Sequence, residues 1–150
     1  MVVVLAGRYA GKKAIIVKTF DDGHGERKFG HCIVAGLERA PKKVTRSMGQ
    51  KKVKARINMK PFVRAVNFNH ILPTRYQVDF DLKKLAMKGA DGKEGETINL
   101  DETTLKDKST RDIARKALKS VFREGYDAFD AKKEGKGKVG EHYFYQKLRF

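Results

Sequence analysis

The side chains of this chain that could carry out chemistry are few and scattered: His24, His31, His70, His142, a single cysteine at Cys32, and the carboxylate pairs Asp21 with Asp22 and Asp79 with Asp81. A metal site needs several His, Cys or carboxylate ligands at matching spacing. Apart from the neighbours His31 and Cys32, which a strand would point to opposite faces, no histidine has such a partner at ligand spacing. A nucleophilic thiol needs a base beside it, and a lone cysteine is more often a small buried filler. The aspartate pairs fall where turns or strand ends are expected, and suit the shaping of turns better than acid–base work. With no cluster of titrating groups, the sequence predicts no enzyme, no metal or other cofactor and no small-molecule substrate.

Residues 7–13, Gly-Arg-Tyr-Ala-Gly-Lys-Lys, follow an apolar run and invite a nucleotide-binding reading. The spacing rejects it. Three residues separate the glycines where four are needed, and Lys13 stands where a Ser or Thr would meet magnesium. The same residues make sense as a strand, a turn and a second strand: Gly7 and Gly11 allow positive φ, Arg8, Lys12 and Lys13 present cations to phosphates, and Tyr9 offers a stacking face. Residues 2–18 resemble a KOW motif, the strand–turn–strand unit of SH3-like barrels in ribosomal proteins and transcription elongation factors. On this segment alone, an ordinary hairpin with solvated lysines fits equally well.

Charge is the strongest purely physical signal. The 150 residues hold 34 Lys and Arg against 18 Asp and Glu, a formal net charge of +16 with a pI near 10.0. The excess is concentrated: residues 39–78 carry eleven basic residues and no acid. Cations packed this way repel one another until a polyanion neutralises them, and nucleic acid is the commonest such partner. Lys42, Lys43, Arg46, Lys51, Lys52, Lys54, Arg56, Lys60, Arg64 and Arg75 are the candidate phosphate contacts, with His70, Phe62, Phe68 and Tyr76 interleaved for stacking or for core. A solvated, disordered arm is the alternative. A basic membrane-surface protein would need an amphipathic or lipidated anchor, which neither terminus offers. The apolar start at 1–6 is too short to span a bilayer and lacks the pattern of a signal peptide. One cysteine excludes an intramolecular disulfide framework and a multi-cysteine zinc ribbon, so a reducing compartment is expected.

The fold expected is α+β. Short β-rich runs at 2–5, 14–17, 33–37, 62–68 and 76–80, separated by turn residues, suggest a small, partly open barrel of about five strands. Residues 39–60 read as a basic arm within it, twisted or briefly helical, with Val44, Met48, Val53 and Ile57 near helical spacing and Gly49 interrupting. Residues 83–108, with Gly89, Gly92 and Gly95 among charged residues, read as a flexible polar insertion. From Ser109, a candidate cap with Asp112 three residues on, an apolar stripe of Ile113, Ala117, Leu118, Val121, Phe122, Tyr126 and Phe129 predicts an amphipathic helix. Arg115 and Lys119 on its basic face are further RNA candidates. Lys136, Lys147 and Arg149 are others, in a basic and aromatic tail that completes the third division, 109–150. The first division is 1–82.

Val3-Val4-Leu5-Ala6-Gly7-Arg8-Tyr9-Ala10-Gly11-Lys12-Lys13, Val34-Ala35-Gly36, Met48-Gly49-Gln50-Lys51-Lys52, Asn69-His70-Ile71-Leu72-Pro73-Thr74-Arg75-Tyr76 and the terminal Phe144-Tyr145-Gln146-Lys147-Leu148-Arg149-Phe150 closely resemble, in order from one end to the other, the eukaryotic large-subunit ribosomal protein L-twenty-seven family. The resemblance implies an SH3-like barrel with basic extensions and a structural role on the large (60S) subunit. It implies large-subunit rRNA and neighbouring ribosomal proteins as partners, and cytosolic ribosomes as the setting after a transient nucleolar passage. The competing function is a free KOW-type regulatory module that binds RNA. Two features depart from the family pattern. The usual short basic leader with Pro-Gly-Lys does not precede the first strand here, so the start is expected to be either truncated or placed too late. Residues 88–105 also look longer than the family norm, as a lineage-specific surface insertion would.

Overall fold

The computed structural model describes residues 1–78, 80, 82, 84–88, 94–131 and 139–149. Strands β1 (Val2–Val4) and β2 (Lys13–Phe20) form the first hairpin. Its turn works because Gly7 and Gly11 adopt φ of 77° and 71°, the left-handed region that a β-carbon disfavours. Strand β3 (His31–Arg39) pairs antiparallel with β2, and β4 (Lys60–Asn67) pairs antiparallel with β3. A single 3₁₀ turn, Phe68–His70, leads into β5 (Ile71–Pro73), which returns to pair with β1. The resulting order is β4-β3-β2-β1-β5. β4 and β5 stand at the two edges and are not paired, so the architecture is α+β with an open five-stranded antiparallel sheet.

Seven consecutive residues of β3, His31 to Leu37, are buried, because this central strand is covered on both faces. Cys32 and Val34 point into a small cluster with Val2, Val4, Ala14 and Phe62. Ile33, Ala35 and Leu37 point the other way, into the larger core shared with the helices. Strands buried on both sides read as continuous apolar runs, as this one does.

The expected fifth strand at 76–80 is replaced by β5 at Ile71–Pro73. Pro73, read from the sequence as an interruption, ends an edge strand, where a missing N–H costs nothing in the ladder. Tyr76 and Phe80 act instead as packing aromatics: Tyr76 stacks on Tyr143, and Phe80 meets Phe122, Phe144 and Tyr145.

The polar stretch after the sheet holds regular structure. β6 (Lys84–Lys88) and β7 (Glu94–Asn99) pair antiparallel, and a short helix α2 (Glu102–Lys106) follows. Leu85 and Leu100 join the main core, so this stretch is part of the packed body. Helix α3 (Lys108–Ala131) starts one residue before Ser109, and Thr110 Oγ1 donates to the Asp107 carbonyl at 3.1 Å. Its stripe buries Ala114, Ala117, Leu118 and Phe122, with Val121 and Tyr126 at the margin.

The expected tail also packs. α4 (Val139–Tyr145) inserts Phe144 and Tyr145 into the core, and the Tyr145 hydroxyl donates to the Phe122 carbonyl at 3.0 Å. At Gly140 a β-carbon would lie 1.9 Å from the Gln77 carbonyl oxygen, so only glycine permits this docking.

Candidate nucleic-acid interface

The acid-free stretch folds into a doubled-back arm. After β3 the chain runs out through 40–48 and returns as α1 (Gln50–Ile57). Two hydrogen bonds clip the two limbs together, Lys42 N–H to the Arg56 carbonyl at 3.0 Å and Arg56 Nη1 to the Lys43 carbonyl at 3.0 Å. Gly49, expected to interrupt a helix, is the residue from which α1 starts. The first turn of α1 carries no acid, while Lys54 and Arg56 sit in its last turn, where the helix dipole favours cations.

Between this arm, the β1–β2 turn and the C-terminal segment lies a cleft of about 1310 Å³. Lys12, Arg39, Lys42, Lys43, Arg46, Lys147 and Arg149 line it, with Glu38 as the one carboxylate among its lining residues. Glu38 is already engaged, since Lys60 Nζ donates to it at 3.1 Å. Arg39 Nε donates to the Asn58 carbonyl at 3.2 Å. Lys12, Lys42, Lys43, Arg46, Lys147 and Arg149 make no ion pair among the described residues. The cleft thus gathers cations that no carboxylate among the described residues compensates. Arg39 was not singled out from the sequence, although it opens the acid-free stretch.

The remaining candidates are dispersed. Arg8 is exposed at the hairpin tip, Lys51, Lys52 and Lys54 are exposed on α1, and Arg64 on β4, His70 and Arg75 are exposed as well. Arg75 packs over the Tyr76 ring. Arg115 is held by Asp112 at 2.6 Å on α3, whereas Lys119 is exposed on the same helix. Lys136 lies outside the described residues.

Two residues of the first hairpin are committed to the fold. Tyr9 stacks flat on buried Phe62, centroids 4.0 Å apart and planes 6° from parallel, so one face of its ring is already covered. Lys13 is 5% exposed. Its ammonium donates to the Tyr143 and Gln146 carbonyls, the latter at 2.8 Å, and lies 3.6 Å from the centre of the Tyr143 ring. It therefore satisfies the free carbonyls at the end of α4 and offers little to a phosphate. Burial pulls its pKa down to about 8. The long-range partners explain why sequence reasoning assigned Lys13 to RNA: nothing local distinguishes it from Lys12. Phe62 and Phe68 likewise belong to the small core cluster.

The opposite end of the sheet treats charge differently. Glu102, at the start of α2, is buried and receives three partners: His24 Nδ1, Arg27 Nη1 and His31 Nε2, each at 2.8 Å. The hydrogen bond with His24, with those from Arg27 and His31, outweighs burial and holds the carboxyl down at about 2. His31 is 0% exposed, and its Nδ1 lies 2.9 Å from the Phe29 carbonyl oxygen. Both of its partners are acceptors, so both bonds form together only when both ring nitrogens carry hydrogen. His31 thus has a carboxylate partner 71 residues away, which spacing could not reveal. Cys32 faces the other core, and burial pushes its thiol up to about 11, far from the thiolate a nucleophile needs. No group of side chains suited to a metal ion occurs among the described residues. No helix among them is long and apolar enough to cross a membrane.

A profile of the ribosomal L27e protein family matches residues 1–150. The chain belongs to the ribosomal L27e family. Among curated relatives, it is 43% identical over 152 aligned positions to the large ribosomal subunit protein eL27 of Tetrahymena thermophila, an alignment that covers all of this chain and 94% of that one. For an L27e protein, the cleft is a surface whose cations find no free carboxylate among the described residues.

Proposed function

We propose that this L27e protein is a structural constituent of the large ribosomal subunit that binds and stabilises folded rRNA and does no chemistry of its own. The observation that carries the reading is the arm–tail cleft, where Lys and Arg side chains converge with no free carboxylate among the described residues to neutralise them, on a chain of a ribosomal family. Phosphate contacts release counterions, so such a surface gains binding free energy where it meets the RNA backbone.

The arm supplies Lys42, Lys43, Arg46, Lys51, Lys52, Lys54 and Arg56, the hairpin tip Arg8 and Lys12, and the C-terminal segment Lys147 and Arg149. Lys60, Arg64, His70, Arg75, Arg115 and Lys119 extend the contact area. The five-stranded antiparallel order and the small buried cluster of Val34, Ala14 and Phe62 support relating residues 1–82 to an SH3-like barrel of KOW type. Residues 83–108 are then a buttress on that unit, and 109–150 its helical support. Neighbouring ribosomal proteins complete the surroundings on cytosolic ribosomes, reached through nucleolar assembly.

Photo-crosslinking of intact large subunits, followed by peptide mapping, tests the assignment. RNA-linked peptides are expected from 39–60 and 146–149. Crosslinks confined to the acid-containing surface around Glu26 and Asp101 would contradict it.

A further inference from the structure

A second basic groove lies on the other flank of α1, outside the cleft, and it brings the candidates Lys54 and Lys119 together with residues of α3. It measures about 480 Å³ and is walled by Lys54, Ile57 and Asn58 at the end of α1, by Met59, and by Lys116, Lys119, Ser120 and Arg123 on α3. The four α3 residues fall at i, i+3, i+4 and i+7, which places them along one stripe of the helix. Ala114, Ala117, Leu118 and Phe122 bury a different stripe in the core. The groove is therefore built by the same packing that sets α3 against the sheet.

Its charge is also left open. Lys54, Lys116 and Lys119 are exposed and make no ion pair among the described residues. Arg123 uses Nε to reach Asp127 at 2.9 Å, which leaves its Nη groups for another acceptor. No carboxylate among the described residues lines the groove. Buried Met59 forms its floor, and Asn58 and Ser120 add neutral donors. Three ammonium groups, a guanidinium and two neutral polar side chains around a recess of this size suit one strand of a phosphodiester backbone. Ile57 lies on the wall of both this groove and the arm–tail cleft, so α1 is the partition between two cationic recesses.

We infer that the α1–α3 groove is a second RNA-backbone site, distinct from the arm–tail cleft, and that the protein clamps two separate RNA segments on either side of α1. The inference rests on the rRNA-binding reading above and extends it from one contact surface to a bridge.

The test uses the full chain with two short A-form RNA hairpins, one carrying a donor fluorophore and the other an acceptor. The unchanged protein is expected to bring both hairpins together and give energy transfer at stoichiometric protein. The double variant Lys116→Glu/Lys119→Glu, at exposed positions that leave the core untouched, is expected to keep binding one hairpin and lose the transfer. Lys28→Glu/Lys108→Glu makes the same charge change elsewhere and is expected to keep the bridging. Undiminished transfer in the groove variant, or equal loss in both variants, would overturn the second site while leaving RNA binding itself intact. Failure of the unchanged chain to bind either hairpin would overturn both readings.

Discussion

The two ends of this molecule handle charge in opposite ways. Around Glu102, three nitrogen-bearing side chains from the β2–β3 region converge on one buried carboxylate. In the arm–tail cleft, cations from three chain segments converge on no free carboxylate among the described residues. The first arrangement is closed and serves the fold, because a buried charge is tolerated only when paired and hydrogen-bonded. The second is open, and self-repulsion in the free protein is tolerable only if a polyanion relieves it. A cation's role here follows from what the fold brings opposite it.

The largest effect on stability should come from breaking the closed end. Glu102→Ala leaves buried His31 without its acceptor, and is expected to cost about 3 kcal/mol. For a chain of this length that lowers Tm by roughly 6 to 12 °C, readable by calorimetry. Acid makes the same point reversibly. Glu102 titrates at about 2, below the ordinary 4.5, so the stability it contributes is present above pH 4.5 and lost as pH falls from 4.5 towards 2. Glu102→Gln should lack this part of the acid transition. An unchanged acid profile in that variant would remove the distinction between the two ends.

Lys13 sharpens the comparison, because it is a cation at the cleft's edge that behaves like the closed end. Lys13→Met keeps the apolar stem but deletes the hydrogen bonds to the Tyr143 and Gln146 carbonyls. A loss of about 2 kcal/mol is expected, with faster amide exchange concentrated in α4. Exchange unchanged in α4 would show that Lys13 does not hold the segment in place.

The smallest effect on stability belongs to the open end. Lys42→Glu/Lys43→Glu should change the stability of the free protein by no more than about 0.5 kcal/mol. The same variant should weaken RNA binding for all sequences and flatten its salt dependence by about two. A strongly destabilised variant would mean that these lysines have internal partners after all.

Much of this is visible in the residues themselves, and the exceptions share a cause. The β1–β2 hairpin shows in Gly7 and Gly11, β3 in its apolar run, α3 in its 3.6-residue stripe, and the uncompensated arm in eleven cations without an acid. All are local patterns. The β6–β7 pair was hidden because glycines and charges in 83–108 mimic a loop, and only packing of Leu85 and Leu100 against the sheet reveals it. α4 was hidden because Phe144 and Tyr145 beside Lys147 and Arg149 look like a stacking tail until their burial is seen. Glu102 and Lys13 acquire their roles from partners 71 to 78 and 130 to 133 residues away, and no periodicity records such pairings.

Sucrose-gradient fractionation of the tagged protein from its native cytoplasm, before and after a high-salt wash, tests the central claim most directly. Comigration with large subunits and their rRNA that survives the wash is the predicted result, because cations seated in RNA crevices are shielded from screening. Protein at the top of the gradient, or fully released by salt, would contradict a structural role in the subunit.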